Sequence, residues 1–169
     1  MALKDGDALL ERQKELQCLY RIAELTEDEA ENPARAVGSA ALPMLPSPET
    51  LQQCVDALPA SWQWPTAAHA RIDIPEVGVF VAGVDTEAPI AEGPWALSTF
   101  VLVEGKEAGT VKVAYSEAEA RAAGADPDKP FLDEERALID AIAQKLGRFM
   151  ERKKNRYALR ERMKPVRIL

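Results

Sequence analysis

The chain predicts an α+β fold, a central antiparallel β-sheet with helices on one face and long helices at both ends. Three observations carry this. Leu138, Ile139, Ile142, Leu146, Phe149 and Met150 recur at spacings of three and four, which makes one apolar stripe along a helix. His69–Ile74 alternates apolar and polar residues as a half-buried strand does, and three further strand-like segments follow before residue 116. Helical patterns flank the strand patterns instead of alternating with them, so helices and sheet are segregated.

Residues 3–27 predict the first helix. Leu9, Leu16 and Ala23 stand seven apart, with Leu19 and Ile22 in the intervening turns and Leu10, Tyr20 and Leu25 widening the stripe. Arg12 falls on this seam, and the first half is more polar than the second. Two readings fit: a seam against a partner helix, or one amphipathic helix on a core. Residues 28–48 hold four prolines and one glycine and predict a long loop. Ser47 is placed to cap a second helix that begins at Pro48, where the missing N–H costs little, and Leu51, Cys54, Val55 and Leu58 form its buried face. Pro59–Pro65 ends that helix and brings two tryptophans, Trp62 and Trp64, toward the sheet.

The first strand puts Ala70, Ile72 and Ile74 on one face. Val77–Ala82 is the second. Trp95–Val103 is the third, with Trp95, Leu97, Val101 and Val103 opposite Phe100 and Leu102. Gly109–Tyr115 is the fourth, with Val111, Val113 and Tyr115 opposite Lys112. Glu104-Gly105-Lys106 is a turn that joins the last two as an antiparallel hairpin. A short helical turn and a loop fill 116–130. Asp133 is the expected N-cap of the last helix, and Pro165 its expected stop. The chain divides into a first helix (1–27), a Pro/Ala-rich loop (28–48), an α+β domain (49–150) and a basic helical extension (151–169), with both termini expected to leave the domain together.

Charge is divided along the chain. Residues 148–169 carry nine Lys/Arg and two Glu, whereas the other 147 residues carry twelve Lys/Arg and 26 Asp/Glu. An acidic body argues against nucleic-acid binding by the domain, and the basic tail reads as a solvated helix extension. No run approaches the roughly 20 apolar residues that span a bilayer. The first residues lack the basic and apolar regions of a secretion signal, and Cys18 and Cys54 read as buried thiols, so a cytoplasmic protein is expected.

Catalytic and metal-binding patterns are not found. His69 is the one histidine, no Gly-x-Ser-x-Gly, Cys-x-x-Cys or glycine-rich phosphate loop occurs, and no metal or cofactor is expected. Glu27, Asp28, Glu29 and Glu31 lack the spacing of a calcium loop and read as a solvated acidic face. The chain is therefore expected not to be an enzyme.

Several segments, in order, carry a resemblance. Glu15–Leu25, Leu58–Pro65 with Ala70-Arg71-Ile72, Gly109–Tyr115, and Pro130–Ala143 with Leu146-Gly147-Arg148 and Glu151-Arg152 resemble a GAF-like sensory domain of the type found upstream of bacterial and archaeal histidine kinases and related signalling proteins. The resemblance spans most of residues 15–153. It departs at 28–48, which is longer and richer in proline, and at 75–94, which lacks a polar strand. It implies a GAF/PAS-like sheet and a cytoplasmic, often dimeric domain that senses something or holds partners together, and it supplies no catalytic residues. Trp62, Trp64, His69, Ile72, Trp95, Phe100 and Tyr115 are the candidates to line a small-molecule pocket. Leu9, Leu16, Leu19, Ile139, Ile142, Leu146 and Phe149 are the candidates for a parallel homodimer interface through the helices around 9–23 and 138–150. The expected function is non-catalytic signal relay through the terminal helices. The alternative is a protein–protein adaptor of the same fold without a small ligand, docking a protein partner or downstream signalling module.

Overall fold

The computed structural model describes residues 5–31, 44–83 and 93–163. The loop expected at 28–48 falls mostly outside these residues, as do 84–92 and the expected stop at Pro165. The fold is α+β, with one four-stranded antiparallel sheet. The strands are β1 (Ala68–Ile74), β2 (Gly78–Gly83), β3 (Ala96–Val103) and β4 (Lys106–Tyr115), in the spatial order β2-β1-β4-β3. Two hairpins, β1–β2 and β3–β4, thus join side by side through β1 and β4, which pair from Ala68↔Tyr115 to Asp73↔Thr110. The β3–β4 turn is made by Glu104 and Gly105, both with positive φ. That is the two-residue hairpin turn whose twist matches the strands it joins.

One sheet face carries Ala70, Ile72, Ile74, Leu97, Val101, Val111 and Val113, all buried. The other carries Arg71, Asp73 and Lys112 at its centre, with Val79, Phe100 and Leu102 half exposed on the edge strands. Period-two alternation is therefore kept on both central strands.

Four helices complete the fold: α1 (Asp5–Glu31), α2 (Pro48–Asp56), α3 (Glu117–Ala123) and α4 (Asp133–Met163). α2 starts as the sequence predicts, with the Ser47 side chain accepting from the Thr50 N–H and Pro48 at the first turn. Its Gln52 amide donates to the Val81 carbonyl of edge strand β2 at 3.0 Å. α3 ends at Gly124, whose φ of 108° supplies a left-handed cap. α1 continues to Glu31, since nothing before Asn32-Pro33 breaks a helix. α4 lies along edge strand β3. Gly147 is required there, because a Cβ would collide with the Leu102 carbonyl oxygen.

The start of α4 differs from expectation. Asp133 is the first helical residue and not the cap. The capping work is done from inside the helix by Glu135, whose Oε1 accepts from the Leu132 N–H at 2.8 Å. Phe131, just ahead of the helix, is buried and stacks on Tyr115 with ring centroids 4.6 Å apart.

Candidate functional site

α1 and α4 form the part of the molecule that could carry a function, and their direction decides what it could do. Glu11 and Glu15 lie within electrostatic reach of Glu134 and Glu135 at the start of α4. Ala23, Thr26 and Glu27 share a groove with Lys145, Arg148 and Arg152 further along. Glu29, near the end of α1, pairs with Lys153. Position along one helix rises with position along the other, so the two helices run parallel. The expectation that both termini leave together is thereby corrected. The chain comes in at one pole of the domain, and α4 runs out past the other.

Two buried carboxylates anchor α4, one at its start and one, Glu29 on α1, where it leaves the core. Glu135 is 2% exposed. Its Oε2 accepts from the Tyr115 hydroxyl at 2.7 Å and from the Gln63 N–H at 2.9 Å, while Oε1 takes the Leu132 N–H. It thereby ties β4, the segment before β1 and the first turn of α4 to one point. Burial pushes its carboxyl above the usual range, and the three donors oppose that rise. Burial, with Glu135 beside it, also drives the Tyr115 hydroxyl up, so it stays a neutral donor.

Glu29 is 4% exposed and takes the Lys153 ammonium at 2.7 Å. Its other oxygen accepts from the Ser47 N–H and the Thr50 hydroxyl, both at 2.9 Å. The lock therefore holds α1, α4 and the first turn of α2 together. This corrects the reading of Glu29 as part of a solvated acidic face. It also corrects the reading of 151–169 as wholly solvent-facing, because Lys153 is buried. Beside Lys153, Glu151 accepts from the Glu104 N–H and Lys154 pairs with the Glu104 carboxylate, which adds the β3–β4 turn. Beyond this point the side chains of residues 158–162 are exposed.

The pocket candidates do not converge. Trp62, Ile72 and Tyr115 are fully buried in the core, and the Trp62 indole N–H has no hydrogen-bond partner among the described residues. His69 is buried on β1. Trp95 is buried under the Arg121 guanidinium, 5.7 Å from the ring centroid, and Trp64 is partly buried near Gly124. Phe100 is half exposed and lines a groove of about 370 Å³ with Thr99, Leu102 and α4 residues Asp140 to Glu151.

The dimer candidates divide by helix. Ile139, Ile142, Leu146 and Phe149 are 0–3% exposed and belong to the core of their own protomer. Leu9 and Leu16 stand outside at 71% and 53% exposure, and Leu19 is intermediate. Sequence reasoning missed Glu135, Glu29 and Lys153 as a set. A signal for two of them exists. Glu29 continues the spacing of Cys18, Ile22 and Leu25, and Lys153 continues that of Leu146, Phe149 and Met150. One charge on each apolar stripe, of opposite sign, is the pattern of a buried ion pair.

The cysteines are free and buried. Burial pushes Cys18 to about 11 and Cys54 to about 12, so neither is a ready thiolate nucleophile. Among the described residues no cluster of three or more metal-binding side chains exists, and no helix is long and apolar enough to cross a membrane. No family model matches the chain, and no curated protein or solved structure matches it either.

Proposed function

We propose that this chain is a non-catalytic sensory or regulatory domain of GAF-like type, acting in signal transduction as a cytoplasmic homodimer. Ligand or partner binding on the body is relayed through the terminal helices. The observation that carries this reading is the convergence at Lys153. α4 passes from the core to its exposed, basic end where Glu29 of α1 and the β3–β4 turn hold it, and the start of α2 braces Glu29. A change in how the sheet or α2 packs would reach the exposed helix through that point. Such a relay requires a ligand that binds two arrangements unequally.

The second reading is an adaptor of the same fold that docks a protein and holds no small ligand. The dispersal of Trp62, Ile72, Tyr115 and Phe100 between core and surface favours it. Native mass spectrometry beside a denatured spectrum separates the two. The sensor reading expects a non-covalent mass that vanishes on denaturation. A ligand-free spectrum, with exchange in α4 unaltered by any added metabolite pool, would pass the site to the adaptor.

A further inference from the structure

Three cations of α4 crowd one arc of the helix. Lys145, Arg148 and Arg152 fall within about 60° of one another and rise over about 10 Å, each a turn from the next. Like charges at these spacings repel. Acidic side chains outnumber basic ones, 26 to twelve, outside residues 148–169. Even so, among the described ion pairs none engages Lys145, Arg148 or Arg152. Their neighbours Lys153 and Lys154 are both paired. The three line an open groove of about 420 Å³ between α1 and α4. The α1 wall is small there. Ala23 and Thr26 form it, and the Thr26 hydroxyl is turned back on the Ile22 and Ala23 carbonyls at 2.9 and 3.1 Å. Two carboxylates share the groove, Glu27 from α1 and Glu151 from α4, and Glu151 is engaged by the Glu104 N–H at 2.8 Å.

We propose that this groove binds a small molecule carrying two or more adjacent phosphates. Arg148 and Arg152 offer planar forks that match phosphate oxygens, and Lys145 adds a compact positive charge. Spread over about 10 Å of helix, the three suit a linked pair of phosphates better than a single one. An anion seated among them removes the repulsion that the empty groove holds. Glu27 adds a second requirement. Its carboxylate repels a bare phosphate chain and can accept from a hydroxyl or amine on the group that carries the phosphates. The volume is that of a small-molecule site. The site is built from α1 and α4 of one protomer, and it stands whether the body senses a ligand elsewhere or docks a protein.

The test is isothermal titration calorimetry on the full chain, with circular dichroism to confirm that each variant folds. The salt is about 0.1 M, where exposed charges about 10 Å apart are largely screened from one another. Pyrophosphate is expected to bind one saturable site, more tightly than orthophosphate. Arg148→Gln with Arg152→Gln is expected to weaken it by about tenfold or more. Arg160→Gln with Arg162→Gln removes the same charge from the exposed end of α4 and is expected to change binding by less than about twofold. Glu27→Gln is expected to tighten pyrophosphate. Two further probes, ADP and phosphatidylcholine vesicles carrying a phosphatidylinositol bisphosphate, identify the carrier. A gain over pyrophosphate with one of them assigns the site to nucleotides or to lipid headgroups, and parity assigns it to free phosphate chains. No saturable binding of any probe overturns the site. Equal losses from the two arginine pairs overturn it as well, because the whole basic end is then attracting anions without a groove. Orthophosphate as tight as pyrophosphate overturns the paired-phosphate class, and weaker binding by Glu27→Gln overturns the placement beside that carboxylate.

Discussion

Glu29 and Glu135 are buried carboxylates at opposite ends of one helix pair, and they are held by different chemistry. Glu29 has a cation, Lys153, together with a backbone N–H and a hydroxyl. Glu135 has three neutral donors and no cation in the described ion pairs. An ion pair opposes its own dissolution strongly, because removing one partner strands the other charge in the core. A carboxyl held by neutral donors can give up its charge by taking a proton. The structure thus pairs a charge-locked end, where α4 leaves, with an end that responds to protons, where α4 begins.

The contrast is most easily broken at the charged end. Lys153→Ala is expected to cost about 3–5 kcal/mol in a denaturant melt, since Glu29 is left buried and unpaired. Glu29→Gln with Lys153→Met keeps an acceptor for Ser47 and Thr50 and is expected to recover most of that loss. A double variant as unstable as the single one would mean that shape at this position matters more than charge.

At the other end, Tyr115→Phe removes the shortest of the three bonds to Glu135. It is expected to cost about 1–3 kcal/mol, less than Lys153→Ala. The pH dependence sharpens the contrast further. With its pKa raised on folding, Glu135 binds more protons in the native state than in the unfolded one. Its contribution is complete below the unfolded value and is lost as pH rises through the folded value. The stability of the wild type relative to Glu135→Gln should therefore fall as pH rises above the ordinary carboxylate range. A flat or rising difference would show that the three donors outweigh burial. Glu15 is raised in the same direction by partial burial and Glu134, with Glu135 the smallest contributor, so most of its effect drops out of the comparison with Glu135→Gln.

Smaller effects follow around the same locks. Ser47→Ala removes the cap of α2 beside Glu29 and is expected to cost about 1 kcal/mol. The smallest change is expected from the thiols. Cys18 and Cys54 should resist an alkylating reagent at neutral pH until the protein is denatured, and fast labelling would mean that α1 opens from α2.

The architecture was legible because periodicity reports burial directly. The face assignments of β1, β3 and β4, and the buried face of α2, follow from alternation and from spacings of three and four. The cap of α2 was legible because Ser47-Pro48 is a local signal, whereas the Glu135 cap was obscured by Asp133, a better isolated candidate on the surface. Burial of Ile139, Ile142, Leu146 and Phe149 in the chain's own core shows why the α4 stripe could not be assigned to a dimer interface from sequence. An apolar stripe looks the same whether it meets its own sheet or another chain. The relative direction of α1 and α4 was beyond pattern reading, since it is set by how many times the chain crosses the sheet between them.

That direction has a mechanical consequence. Tension applied between the start of α1 and the end of α4 would pull the two helices in opposite senses along their common axis. Their interface would be loaded in shear, and the sheet hydrogen bonds would stay out of the direct load path. Glu29–Lys153 would then act as a shear pin, resisting until short-range contacts fail together along the pair, where a domain pulled from one pole would unzip bond by bond.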